Sequence, residues 1–511
     1  MKCLKQKNRF EQKYPAFLFY NDFWRLLGVD REFVKKMLFN SFEFLVFLPV
    51  VFTLYWFVFR GRKPQNLLIV LTSYIFYGWW DWRFLILIAF TSLCSFFSGR
   101  LIGKNGQNPK KQHFISAANI IINLSVLGVF KYYNFFAESC ADFLKLFGFE
   151  ADFVTLNVIL PVGISFYTFQ ALSYSIDVYK GKIEPTDDII EFFAYISFFP
   201  QLVAGPIERA TNLLPQFQKD RNFEYSKAVD GCRQMLWGFF KKMVVADNCA
   251  AIVNQHWNEY QGLPTATLLL LGVMFAFQIY CDFSGYSDIA IGCARLFGFD
   301  LKQNFNFPYF SRSIPEFWRR WHISLTTWFR DYIYFPLGGS RCSKAKIIRN
   351  VFIVWAVSGL WHGANWTFVC WGLFHAMLLA IYNIFEINTK YKDTVKLNVK
   401  SICQITLTFI LAVIGWIIFR AENIGQATAY LSAMFSNQLI NFSMLYGKKA
   451  LILIGILVVA EWLQRDKAHV LQLPENKIFR HAIVRWVVYY ALILTITTLG
   501  DSNQTFIYFQ F

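Results

Sequence analysis

His362 lies in SGLWHGANWTFVCWGLFHAM (358–377), a run otherwise apolar enough for a bilayer. Imidazole is the side chain that gains or loses a proton near neutral pH, and inside hydrocarbon it must find a partner or face a cavity. That marks His362 as a candidate proton carrier, although polar residues in membrane bundles also serve simply to hydrogen-bond a neighbouring helix. Forty residues earlier, His322 sits in YFSRSIPEFWRRWHISLTTWFRDYIYFPLGGSR (309–341), which is aromatic and strongly basic. Arg312, Arg319, Arg320 and Arg330, interleaved with Trp318, Trp321, Trp328 and Phe329, predict short tilted helices on the cytoplasmic wall of a cavity shared with His362. Arginines there could grip phosphates in bidentate fashion. The same composition also suits an interfacial anchor.

A third polar set lies in FAFQIYCDFSGYSDIAIG, within 265–297, where Gln278, Asp282, Ser284, Ser287 and Asp288 interrupt a long apolar run. Intramembrane carboxylates are costly, so they should pair with basic groups, most simply arginines further on, or cap broken helices. His375 would point away from His362 on one continuous helix and is read as structural. His113, His256, His469 and His481 fall in loops or at interfaces. The ten cysteines form no CxxC pair and no His/Cys cluster, so neither a zinc site nor a disulfide framework is indicated.

These groups need a membrane scaffold to position them. Of 511 residues, 56% are hydrophobic and only 16% charged, which makes an all-α polytopic membrane protein of roughly ten to twelve crossing or re-entrant segments. The net charge of +17 sits in short connectors, as cytoplasmic loops require, and does not indicate nucleic acid. Residues 1–36 carry many Lys and Arg without the apolar core of a signal peptide. With this tail, the positive-inside bias slightly favours a cytoplasmic N-terminus. Starting at Met37, the basic connectors after the first and third spans oppose Arg83 alone and favour an external one. The external start is preferred, with 1–36 a basic extension that need not be native and 37–511 a single membrane domain.

Spans are expected near 42–59, 67–79, 84–102, 114–136, 399–419, 450–463 and 483–499. Pro161 and Gly163 break the 154–179 run and Pro200, Gly205 and Pro206 break 198–209, so both should re-enter or line a cavity. Residues 225–254 combine an apolar face with frequent Lys and Arg and are expected along the membrane surface.

Phe317–Ser340, Ser358–Ala376, DFSGYSDIAIG (282–292), LPVGISFYTFQALSYSIDVY (160–179) and FFPQLVAGPIER (198–209) together resemble the membrane-bound O-acyltransferase family. The likeness runs from Met37 to the C-terminus. It is strongest to the bacterial branch that O-acetylates alginate or D-alanylates teichoic acid, the acetylating members being nearer. The resemblance implies a bowl-like helical bundle, with re-entrant and interfacial helices around a transmembrane tunnel. It also implies that the histidine of the WHG motif, His362, is catalytic and that His322 of WRRWHIS is a second residue near the tunnel.

The expected activity is transfer of an acetyl group from a cytoplasmic thioester, acetyl-coenzyme A or an acyl carrier protein, to hydroxyls of an exported polysaccharide. An exported partner that accepts or relays the acetyl group is also implied. A dry site favours neutral imidazole, so His362 is expected to take the hydroxyl proton while His322 or nearby Trp and Ser donors steady the oxyanion. Arg319, Arg320, Arg330, Trp318, Trp361, Asp282 and Ser284 form the expected substrate- and donor-binding set. No bound cofactor or metal is expected, and lipid is the other partner. Remaining alternatives are D-alanyl transfer, acylation of a lipid or protein within the bilayer, a covalent acyl-histidine route and a polysaccharide transporter, although no internal repeat supports the last.

Overall fold

The apolar runs are too long and too aperiodic for half-buried strands, and in the computed structural model every described regular element is a helix. The structure describes residues 37–150, 153, 155, 156, 160–203, 205–387, 395, 398–435, 447–473, 481–500, 504, 506 and 507. The expectation for 1–36 lies outside them. The chain divides into units 1–49 and 50–511, and every candidate site residue is in the second.

Six helices are long and apolar enough to cross a bilayer: Arg83–Lys104, Pro109–Lys145, Thr265–Leu296, Trp366–Ile384, Val399–Arg420 and Ala482–Leu499. Other expected spans are shorter or start on basic residues, as in Arg62–Gly78 and Lys448–Leu463. As expected, the 154–179 run is broken. Its helix, Ile164–Tyr179, begins at Gly163 in the left-handed region (φ 73°) and is buried along nearly its whole length, so protein rather than lipid surrounds the break. Among the described residues, single π-turns interrupt the helices at Leu54–Val58, Gly128–Tyr132, Phe240–Ala246 and Arg330–Tyr334. Such turns often mark functional positions.

The 225–254 segment departs from the expected surface helix. Tyr225–Phe239 and the π-turn after it pack into the protein against Thr265–Leu296. Glycines spaced by seven residues on both helices let the backbones touch. A Cβ on Gly292 would come within 2.4 Å of the Gly231 carbonyl, and one on Gly285 within 2.8 Å of the Gly238 carbonyl. Contact this close brings Lys241 and Lys242 to the carboxylates of the long helix. Lys242 lies 2.7 Å from both Asp247 and Asp282, and Lys241 lies 2.6 Å from Asp288 and 2.9 Å from Ser284 Oγ. The carboxylates are thus paired as expected, but with lysines earlier in the chain rather than arginines after them. Arg295 turns instead to Asp230, at 2.6 Å.

Candidate active site

The Lys344–His362 helix ends on the histidine itself, and a new helix starts at Trp366, where Asn365 Oδ1 accepts the Thr367 N–H at 3.0 Å. The two helices meet without a gap. A Cβ on Gly359 or on Gly372 would sit 2.2 Å from a carbonyl oxygen of the opposite helix, Phe368 and Trp355 respectively. His375 is therefore on a different helix from His362, which removes the continuous-helix premise. It is nonetheless buried in packing, its Nδ1 accepting from Trp318 Nε1 at 3.3 Å.

A helix C-terminus leaves its last carbonyls without intrahelical partners. Here the π-turn Gly128–Tyr132 supplies them. Lys131 Nζ donates to the Trp361 carbonyl at 2.7 Å and the His362 carbonyl at 3.1 Å, while Tyr132 Oη donates to Leu360 at 2.9 Å. A cation is the favoured partner for that end of the helix dipole. The His362 ring stands among Trp361 and Trp371, each 5.0 Å away, and Phe419 at 5.4 Å. Sequence reasoning missed Lys131, although a lysine inside an expected span (114–136) was the available signal.

His322 caps the short Ile323–Phe329 helix in a left-handed conformation, φ 44° and ψ 53°. A non-glycine residue there is strained, and such strain gathers at functional sites. Its Nδ1 lies 3.0 Å from Asn304 Oδ1, and its ring is edge-on to Phe283 at 4.6 Å and 6.0 Å from Trp361. Its Nε2 is buried and meets no hydrogen-bond partner among the described residues, as is true of Trp361 Nε1.

Two cavities meet this wall. The larger, about 590 Å³, is lined by Trp318, Arg319, Trp321, His322, Arg330, Trp355, Ser358 and His362 among others. The smaller, about 90 Å³, is lined by Lys131, Pro161, Gly163, Ser165, Trp361 and His362. His362 belongs to both. The structure thus brings His322, His362, Trp318, Trp361, Arg319 and Arg330 to the walls of these two cavities. It does not gather the rest of the expected set. Arg320 bonds Glu316 at 3.0 Å and the Asn306 carbonyl at 3.4 Å, while Asp282 and Ser284 belong to the lysine pairs and line neither cavity. Among the described residues no cluster of three His, Cys, Asp or Glu could hold a metal.

Beside Arg330, Asp331 pairs with both Arg330 and Arg209. Burial opposes its ionisation, but hydrogen bonds from the two guanidinium groups outweigh it and hold the carboxyl below the usual aspartate value. A depressed folded value means that the pair's stabilising effect is present above the unfolded value, about 3.9, and is lost as pH falls through the folded one. The thermal midpoint of wild type should therefore exceed that of Asp331→Asn by a constant margin from neutral pH to about pH 5, shrinking only below about pH 4. A margin already lost near pH 6 would dissociate the pair from this carboxyl.

The sequence profile described as "MBOAT, membrane-bound O-acyltransferase family" matches residues 12–420. The chain belongs to that family. The O-acyltransferase match begins inside the 1–36 stretch. Among curated relatives, the chain is 42% identical over 401 residues to the probable alginate O-acetylase AlgI of Pseudomonas aeruginosa, covering 78% of this chain and 75% of that one. It is 33% identical over 440 residues to the peptidoglycan O-acetyltransferase of Helicobacter pylori, covering 80% and 81%. The teichoic acid D-alanyltransferase of Bacillus subtilis is 30% identical over 279 residues, covering 52% of this chain and 70% of that protein. The protein is thus a multi-pass membrane O-acyltransferase.

Proposed function

We propose that this O-acyltransferase moves an acetyl group from a cytoplasmic thioester to hydroxyls of an exported cell-envelope polysaccharide, directly or through an exported partner, in the inner membrane. The observation that carries the reading is His362, shared by two cavities, so that a donor in one and an acceptor in the other would meet at one imidazole. The exposed Arg341, Lys344, Lys346 and Arg349 precede or begin the helix that lines the larger cavity, which supports a cytoplasmic mouth there by the positive-inside rule. A volume of about 590 Å³ suits a drug-sized ligand such as a pantetheine arm. Acetylating relatives align over most of the chain and the D-alanylating one over half, which favours acetate.

The acceptor oxygen attacks the thioester carbonyl, the carbon–sulfur bond breaks, and the hydroxyl proton ends on the departing thiolate. One imidazole carries that proton, while the other imidazole or the Trp361 N–H steadies the oxyanion. The two effects are worth roughly 10² to 10⁴ and 10² to 10³ in rate. The test is ester-linked acetate on exported polysaccharide in cells lacking the gene. Its loss, and its return with the wild-type chain, is the expected result; loss of ester-linked D-alanine instead would move the reading to the other branch.

Arg319 and Arg330 line the larger cavity, which supports a role in meeting donor phosphates there. Arg319→Gln and Arg330→Gln should each raise the donor KM several-fold with kcat within about twofold, because charge steering acts on binding rather than on the transition state. An unchanged KM would make them lipid anchors.

A further inference from the structure

The hydrogen bonds around Asn304 fix a choice that distances alone leave open: which ring nitrogen of His322 carries the proton. Asn304 is fully buried, on the irregular stretch before the Pro308 turn. Its Oδ1 lies 3.0 Å from His322 Nδ1, 3.3 Å from the Ser324 backbone N–H and 2.9 Å from Ser324 Oγ. A backbone N–H can only donate, so the atom it meets must be the amide oxygen and not the amide nitrogen. Ser324 Oγ agrees, since it accepts the Ile207 N–H at 3.0 Å and has its own hydrogen left for Oδ1. The amide nitrogen is accounted for on the other side, donating to Ser287 Oγ of the Thr265–Leu296 helix at 3.1 Å. An amide held from both ends cannot turn over.

Ser324 Oγ also lies 3.5 Å from Nδ1, but its hydrogen goes to the nearer Oδ1 at 2.9 Å. With Oδ1 opposite it at 3.0 Å, Nδ1 is the donor, and in a neutral ring the lone pair then lies on Nε2. That is the nitrogen left buried and without a partner among the described residues, on a residue lining the larger cavity. Trp361 Nε1 and Trp371 Nε1, also buried without a partner among the described residues, each carry a hydrogen and cannot take another. The left-handed backbone of His322 is the local cost of presenting the ring this way.

We propose that Asn304 is a positioning residue that holds His322 as the Nδ1–H tautomer, making Nε2 the acceptor of the attacking hydroxyl's proton. The inference rests on the acyl transfer proposed above and divides its roles. The hydroxyl proton passes to Nε2 as the oxygen–carbon bond forms; when the carbon–sulfur bond breaks, the same proton leaves for the thiolate, and His322 is neutral again. His362, nearby beyond Trp361, is left to face the carbonyl oxygen as it becomes an oxyanion.

The test reads the tautomer itself. Full-length protein carrying nitrogen-15 histidine is placed in lipid nanodiscs, and the His322 signals are identified by their loss in His322→Ala. Wild type and Asn304→Asp should show a pyrrole-type Nδ1 and a pyridine-type Nε2, whereas Asn304→Leu should show mixed forms. In cells with matched membrane levels, Asn304→Leu should form acetyl ester about 10²-fold more slowly, the scale of a lost general base. In membrane vesicles Asn304→Asp should retain activity, with the acid limb of its rate profile moved to higher pH, because a carboxylate against Nδ1–H makes Nε2 hold its proton more tightly.

A wild-type His322 with hydrogen on Nε2, or a tautomer indifferent to Asn304→Leu, overturns the proposal. If Asn304→Leu does not fold, the wild-type spectrum and the pH shift of Asn304→Asp still decide it. Correct tautomers in a wild-type protein that makes no acetyl ester would sink the proposed function and leave the positioning role standing.

Discussion

Cells carrying His362→Ala at matched membrane levels will export polysaccharide with no more ester-linked acetate than cells lacking the gene. The ring stands where both cavities meet, at a helix end pinned by Lys131 and Tyr132, so its loss removes the side chain that, among the described residues, lines both cavities. Losing either a base or an oxyanion donor costs at least about 10² in rate. A fall of that size leaves no acetate above background. His375→Phe is the matched control, because that ring packs among Trp318, Trp355 and Trp371 and lines neither cavity. It should lower the thermal midpoint and leave acetate in place. If His362→Ala restores acetate fully, the residue is a packing group, as polar residues in membrane bundles often are.

The largest loss of stability should come from a residue far from any chemistry. Lys242→Met leaves Asp247 and Asp282 buried without the ammonium that holds them 2.7 Å away on either side. Removing one partner of a buried ion group costs about 3 to 5 kcal/mol, because the remaining charge is uncompensated. An exposed pair such as Arg83 with Asp81 is worth at most about 1 kcal/mol. Thermal unfolding in detergent should therefore show a fall for Lys242→Met several times that for Arg83→Met. Replacing both aspartates by asparagine in the same chain should recover much of it. Equal falls for the two single variants would mean that water reaches the lysine.

Much of this was legible in the chain because membrane burial leaves a strong one-dimensional trace. The long spans, the broken run before Ile164 and the isolation of His362 and His322 all follow from which residues hydrocarbon tolerates. What the trace lacks is the identity of partners. Lys131 and His362 are 231 residues apart, and no local pattern joins them. The 225–254 segment was misplaced because its lysines looked like an interfacial face. Their counter-charges sit on a helix whose glycines had to be matched with Gly231 and Gly238 first. Arg320 has the same composition around it as Arg319, and only the turn of the short helix sends it to Glu316 instead of the cavity. Asn304 escaped notice because a short polar residue four positions ahead of a proline reads as loop chemistry.

The crowding of rings around His362 bears on the membrane as well as on the reaction. Moving one elementary charge through a potential of about 100 mV releases about 2.3 kcal/mol, so an open watery bore would steadily discharge the cell. Trp361, Trp371 and Phe419 crowd around the residue that, among the described ones, both cavities share, and an apolar constriction of that kind repels water and bare ions. An uncharged acyl group can be handed past such a constriction by chemistry alone. On the proposed route, the bilayer would stay an electrical insulator at the place where the acyl group is passed on.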